Sequence, residues 1–255
     1  MDMYETLPRP SLEKLPQYYE SEAYISHTSS KRNLRELLYH IVRSYMIKVK
    51  TRLVAKYVEE PMRVLDFGCG TGDFLLAAKK RGWLTLGVEP NAGANTLAQQ
   101  KGLTICDKDY LASMPEDSFD VITLWHVLEH LPDLDDHIKL FKKLLKPTGV
   151  LFIAVPNFKS YDAQHYKAQW AALDVPRHLW HFSKTSIKKM FTDFELLKIK
   201  PMWFDAYYVS MLSESYRESR FSSLKALFIG LYSNYRGLRT GEYSSHIYVL
   251  TLNAK

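Results

Sequence analysis

Cysteine is nearly absent: Cys69 and Cys106 are the only two in 255 residues. Two isolated thiols exclude a disulfide framework and a cysteine zinc site, whose ligands come in close pairs. A reducing compartment is therefore expected. Long apolar runs are missing too, since none approaches the about 18 residues that a membrane-spanning helix needs. The N-terminal segment carries acids and prolines instead of a basic stretch followed by an apolar core, which argues against a secretion signal. A soluble, cytoplasmic protein is the expectation. Concentrated charge is also lacking. Lys and Arg number 34 against 28 Asp and Glu, a net charge of +6, but they are scattered in short groups such as Lys79-Lys80-Arg81, Lys142-Lys143 and Lys188-Lys189. These read as solvated helix faces, so nucleic acid is not the favoured partner. No internal repeat is found.

What is present suits one domain with appendages, because 46% of the residues are apolar and a chain of this length buries a normal core. Residues 1–30, with Pro8, Pro10 and Pro16 and then Tyr18, Tyr19 and Tyr24, read as an extended arm. Apolar residues at spacings of three and four from Asn33 to Val58 predict one long amphipathic helix, closed by Pro61. The pattern then alternates. Strands are expected at Arg63 to Asp66, Leu84 to Glu89, Leu103 to Cys106, Phe119 to Leu124 and, after the turn Pro147-Thr148-Gly149, Val150 to Val155. Helices are expected at Phe74 to Lys80, Ala92 to Lys101 and Leu134 to Leu145. Such alternation predicts an α/β protein with a parallel, doubly wound sheet, whose ligands bind at the carboxyl ends of its strands. Beyond Pro156 the rhythm breaks. Asn157 to Phe182 is aromatic and histidine-rich without a period. Ser183 to Phe191 reads as a helix, Glu195 to Met202 and Ile247 to Leu252 as strands, and Ala206 to Tyr235 as an apolar helical excursion.

The segment Asp66-Phe67-Gly68-Cys69-Gly70-Thr71-Gly72 sets alternating glycines where a strand hands over to a helix. Glycine tolerates positive φ and lets a ligand approach the backbone, and a helix N-terminus offers unpaired N–H groups. A nicotinamide dinucleotide prefers G-x-G-x-x-G, whereas here the third glycine comes one residue early. Asp66 beside the turn would repel a pyrophosphate and suits an ammonium or a ribose. Glu89, ending the next strand between Gly87 and Pro90, stands where a carboxylate accepts from ribose hydroxyls. Trp125 and His126 leave the fourth strand at its carboxyl end and border the same region.

Together with Gly87-Val88-Glu89-Pro90, Pro115-Glu116-Asp117-Ser118-Phe119-Asp120-Val121-Ile122 and Leu128-Glu129-His130, the glycine turn resembles the class I S-adenosylmethionine-dependent methyltransferases. The segments Tyr18 to His27 and Pro176-Arg177-His178-Leu179-Trp180-His181-Phe182 also resemble the broad subgroup that includes ubiquinone-biosynthesis-like O-methyltransferases. The resemblance implies a Rossmann-like, mostly parallel seven-stranded sheet, with residues 1–58 as a helical lid and 59–255 as the methyltransferase domain. Substrate-side insertions fall at about 157–182 and 205–240, the second a helical insertion before the last strand. It implies S-adenosylmethionine as cofactor, held by Asp66, Gly68, Cys69, Gly70, Glu89 and Pro90, with Asp109, Tyr110 and Leu111 near the adenine and Trp125 and His126 near the methionine. Asp107 is a second candidate acid for the adenine.

His126-Val127-Leu128-Glu129-His130 reads formally as H-x-x-E-H, a zinc pattern when on a helix. It follows a buried strand and runs into Leu131-Pro132, so no metal is expected. His178 and His181 are candidate general bases for an oxygen acceptor, because imidazole titrates near neutrality. Arg177 suits either an acidic acceptor or a structural carboxylate. Tyr24 and His27 belong to an arm that either folds over the cofactor, since aromatic faces attract a sulfonium, or straps the long helix. Trp170, Trp180, Phe182, Trp203, Tyr207, Tyr208 and Met211 are expected to line a pocket for a small-molecule acceptor with a hydroxyl, aromatic or lipid-like. An RNA or protein methyltransferase and a non-catalytic binding module remain as alternatives.

Overall fold

The computed structural model describes residues 2–11, 13–14, 17–18, 34–217 and 222–253, with the backbone alone for 34–40. Tyr24 and His27 lie outside the described residues.

The long helix, α1, spans Leu34–Val54 and buries Thr51, Leu53 and Val54 at its end. The alternation that follows is as the apolar pattern demands. β2 (Arg63–Phe67), α2 (Asp73–Lys79), β3 (Leu84–Val88), α3 (Ala92–Gln100), β4 (Ile105–Cys106) and β5 (Phe119–Trp125) come in that order. Between the last two strands, α4 (Lys108–Ser113) occupies a stretch that the sequence leaves without an element, because Asp107 caps it by accepting from the Tyr110 N–H at 2.7 Å. α5 (Leu134–Leu144) turns its buried face through Leu134, Ile138, Phe141 and Leu144, the three-and-four spacing of one helix side. β6 (Leu145–Pro156) begins before the expected turn at Pro147, which is drawn into the strand.

Seven strands hydrogen-bond in the order β4-β3-β2-β5-β6-β9-β8, with β8 at Phe194–Pro201 and β9 at Ser245–Leu252. The sheet is mostly parallel. β2 pairs in parallel with β3 on one side and β5 on the other, so that Asp66 lies between Gly87 and Thr123. The chain order reverses at β2, which makes the carboxyl ends of β2, β3 and β5 the crevice of a doubly wound sheet.

After β6 come α6 (Tyr161–Tyr166), the two-residue β7 (Trp180–His181) and α7 (Lys184–Met190), the last opened by a capping box from Ser183 and Ser186. A strand absent from the sequence reading, β1 (Tyr4–Glu5), pairs antiparallel with β7. The single excursion expected over 206–235 is two helices, α8 (Asp205–Ser215) and α9 (Ser222–Thr240). No helix among the described residues is long and apolar enough to cross a membrane.

The chain forms two compact units. One comprises Pro10–Trp125, Asp133–Phe152 and Leu250–Lys255, and holds the glycine turn. The other comprises Met1–Arg9, His126–Pro132 and Ile153–Val249, and holds the histidine-rich segment with α8 and α9.

Candidate functional site

In the first unit, the turn after β2 takes the form that only glycine allows. Gly68, Gly70 and Gly72 all have positive φ, at 75°, 55° and 76°, where a side chain strains the backbone. The amides of Gly68 and Cys69 both donate to the Val88 carbonyl, at 2.7 and 3.0 Å. Gly87 is required for a different reason. A Cβ there would meet the Cys69 Sγ and Ile105 Cδ1 at 2.7 Å, so the strand next to the turn has room for hydrogen alone. A Cβ on Gly70, by contrast, would meet nothing within 4 Å, so the backbone there borders open space.

Glu89 closes the turn. Its buried carboxylate accepts from the Gly70 amide and the Asn91 amide, both at 2.8 Å. Burial pushes its pKa up and the two amides oppose the rise. Asp66 is buried beside it and accepts from the Thr123 hydroxyl at 2.6 Å. Burial carries the Asp66 pKa up to about 7, Thr123 and the Lys50 ammonium pulling it down and the Glu89 charge adding to the rise. Trp125 is half-buried, with the Lys50 Nζ 4.5 Å from its ring centroid and Phe74 at 5.5 Å edge-on. Its indole N–H is buried without a hydrogen-bond partner among the described residues. The turn is anchored to the helices around it through Asp73, which pairs with Arg43 of α1 and, at 2.5 Å, with Lys101.

The Cys69 side chain packs in a core cluster with Leu75, Ala98 and Leu103, its Sγ 3.8 Å from the Gly70 carbonyl; burial pushes its thiol pKa up. Asp109 and Tyr110 are exposed on the first turn of α4, Leu111 is fully buried, and the Asp107 carboxylate is engaged as the helix cap. Pro90 is exposed where β3 gives way to α3.

In the second unit, His126 sits at φ 60° and donates its backbone N–H to the Ala154 carbonyl at 2.9 Å. Its Nε2 lies 3.2 Å from an Asp205 oxygen and its Nδ1 3.5 Å from a Glu129 oxygen. Burial opposes protonation, but these carboxylates outweigh it and raise the His126 pKa to about 9. Glu129 is 1% exposed, and neither carboxylate oxygen has a hydrogen-bond partner among the described residues. Around it stand three more imidazoles. His130 and His178 are edge-on at 4.6 Å, and His181 lies 6.4 Å from His178. The Nδ1 of His178 faces the Ala172 carbonyl at 2.9 Å and that of His130 the Arg177 carbonyl at 3.1 Å. Glu129, His130 and His178 each offer a ligand atom within 4.8 Å of the others, the donor set a divalent cation takes, although residues 128–130 form a short 3-10 helix and not the α-helical turn of a zinc protease.

His178 and His181 are both buried, and burial lowers the pKa of each, that of His178 to about 4. A proton acceptor works best with a pKa near the working pH, so the segment has neutral, weakly basic imidazoles. His181 Nε2 is 3.1 Å from the Thr6 hydroxyl, and Thr6 also donates to the His178 carbonyl at 2.7 Å. Arg177 is resolved in favour of a structural partner, with Nη2 2.7 Å from Asp174. The expected acceptor lining divides. Trp170 and Phe182 are core, the former donating to buried Asp162 at 2.8 Å, while Trp203, Tyr208 and Met211 are exposed. Trp180 is half-buried, its ring under the Arg9 guanidinium. Asp205 was not among the sequence candidates, because no local pattern marks a residue whose partner is distant in the chain; Asp174, three residues from its partner Arg177, was missed as well.

A family model described as a methyltransferase domain matches residues 38–199. Over 139 residues the chain is 36% identical to the ubiquinone biosynthesis O-methyltransferase of Actinobacillus pleuropneumoniae serotype 7, covering 48% of this chain and 58% of that one. Over 120 residues it is 35% identical to the enzyme of the same name in Coxiella burnetii, covering 42% and 51%. The chain thus spans little more than half the length of the curated relatives it matches. Among solved structures, the magnesium protoporphyrin IX methyltransferase of Synechocystis PCC 6803 with bound SAH aligns with a TM-score of 0.61 at 16% identity, covering 93% of this chain and 97% of that one. A possible histamine N-methyltransferase of Thermotoga maritima aligns with a TM-score of 0.56 at 16% identity, covering 85% and 96%. At such identities the likeness is one of fold.

Proposed function

The chain belongs to the methyltransferase-domain family, and on that premise we propose that it is an S-adenosylmethionine-dependent methyltransferase acting on a hydroxyl of a small molecule. The observation that carries the proposal is the Glu89 carboxylate, buried at the end of β3 and bonded to the middle of the glycine turn. A buried acid is costly unless its charge is used. Its two oxygens keep lone pairs beyond those given to Gly70 and Asn91, and these suit the paired hydroxyls of a ribose.

When bound, S-adenosylmethionine supplies a methyl group already activated by its sulfonium. The residues present fit such a guest: space beside Gly70, an acid at Asp66, and the aromatic face of Trp125, a surface of the kind that attracts cations, with the Lys50 Nζ 4.5 Å from its centroid. The chain's own work is then to align the acceptor, exclude water and take a proton. Of the described histidines, His126 is the most basic, and it accepts a proton only in its deprotonated form, which grows as pH rises toward 9. Asp205 and Glu129 stabilise its charged form, whereas burial disfavours the charged forms of His178 and His181. The preference for an oxygen acceptor rests on the named activity of the relatives at 35% and 36% identity.

Incubation with methyl-labelled S-adenosylmethionine and a panel of phenols, alcohols and amines tests the reading. Label on a hydroxyl supports it. Label only on amines would move the proposal to nitrogen, and cofactor binding without transfer to any member would replace the enzyme by a binding module.

A further inference from the structure

α9 is built inside out. Its buried positions are Ala226, Gly230, Ser233, Asn234 and Gly237, small or polar residues that let it lie close against its neighbours. A Cβ on Gly230 would meet Tyr207 at 2.7 Å, and one on Gly237 would meet Tyr243 at 2.6 Å. The large apolar residues face outward: Leu224, Leu227, Phe228, Leu231, Tyr235 and Leu238 are 64%, 56%, 73%, 56%, 44% and 64% exposed. Isolated exposed apolar residues need no account, but a continuous stripe does. At about 100° per residue these six fall within an arc of about 100° along the whole helix, about 28 Å in length.

The neighbouring flank is cationic. Lys225, Arg236 and Arg239 occupy the adjoining arc of about 60°, with the Arg239 guanidinium 4.7 Å from the Tyr235 ring. No Asp or Glu occurs from Ser222 to Thr240. An apolar stripe with cations along one edge, on a helix not apolar enough to span a bilayer, matches the requirements of a helix lying in the plane of a membrane surface. A second copy fits less well. Antiparallel pairing about a twofold axis would bring both sets of cations to the same side, where neither helix carries an acid, whereas lipid phosphates carry the opposite charge.

We propose that the outer face of α9 docks on the surface of an anionic lipid bilayer. The stripe enters the boundary between headgroups and acyl chains, and Lys225, Arg236 and Arg239 pair with phosphates. This surface is independent of the methyl-transfer reading, since it uses none of the residues invoked there.

The test is co-sedimentation of the full chain with vesicles of phosphatidylcholine alone and of phosphatidylcholine containing about one third phosphatidylglycerol, at low salt. The full chain should sediment with the anionic vesicles only. Replacing Phe228→Ser and Leu231→Ser together should lower partition by about tenfold for each side chain removed. Lys225→Gln, Arg236→Gln and Arg239→Gln should lower it by about fivefold per charge. All five side chains lie on the outer or flanking arc, and circular dichroism checks that the variants fold. Failure to sediment with anionic vesicles would overturn the proposal, as would sedimentation that both sets of substitutions leave unchanged. A dimer in solution that Phe228→Ser dissolves would assign the face to a second copy and overturn it equally.

Discussion

The Glu89 carboxylate accepts the Gly70 amide at 2.8 Å, joining two residues nineteen apart in the chain and closing the glycine turn from the next strand. One bond thereby makes the turn and the strand-end acid a single site. It also orients the carboxylate, whose second oxygen takes the Asn91 amide. A carboxylate held at both oxygens is already organised for a ligand, and ordering it on binding costs little.

Gly87 is tightly enclosed beside this site. Gly87→Ala should destabilise the protein by about 1–3 kcal/mol, because the new methyl meets Cys69, Ile105 and Leu75 in a packed core. Urea unfolding of wild type and variant measures it. Gly70→Ala should leave packing intact, strain the φ of 55°, and weaken cofactor binding more than it weakens folding.

Asp66 makes cofactor affinity depend on pH. Its pKa is about 7 before binding, and a cationic guest favours the ionised form, so binding releases a proton. Affinity should therefore climb as pH rises toward 7 and level off above it. Titrations across this range in wild type and Asp66→Asn should show the slope in the first and its loss in the second.

His126 predicts two further dependences with one origin. Its pKa is raised from 6.5 to about 9, so its stabilising contribution is fully present below about 6.5 and is lost as pH rises through about 9. Asp205→Asn should flatten this decline in melting temperature. As the proposed proton acceptor, His126 works only when deprotonated, so kcat/KM should rise toward pH 9 in wild type and reach its plateau at lower pH in Asp205→Asn.

Trp170 is a structural residue on this account. Trp170→Phe removes the donor to buried Asp162, at a cost of about 1–3 kcal/mol. Chemical denaturation should register the loss, while KM for the acceptor stays unchanged. A selective rise in KM would return Trp170 to the acceptor pocket.

The parts legible in the sequence were those with a local rule. The turn from Asp66 to Gly72 and the alternation around it depend on glycine and on short apolar periods, and the sheet follows them. The Cys69 side chain packs into the core, which membership of the turn does not reveal. Trp170 and Phe182 were misread because the segment after Pro156 lacks a period, and an aromatic residue without a period fits core and pocket equally. The pairing of His126 with Asp205 and of Tyr4 with His181 spans long stretches of chain. Such contacts arise from tertiary packing and leave no mark on neighbouring residues.

The most direct test of the central claim is calorimetric titration of S-adenosylmethionine into wild type, Glu89→Gln and Glu89→Ala, each checked for folding by circular dichroism. Saturable binding to wild type is expected. It should weaken about thirtyfold in Glu89→Ala, corresponding to about 2 kcal/mol for charge-assisted bonds lost, with Glu89→Gln between the two. Absence of binding to wild type, or equal affinity in all three proteins, would contradict the account.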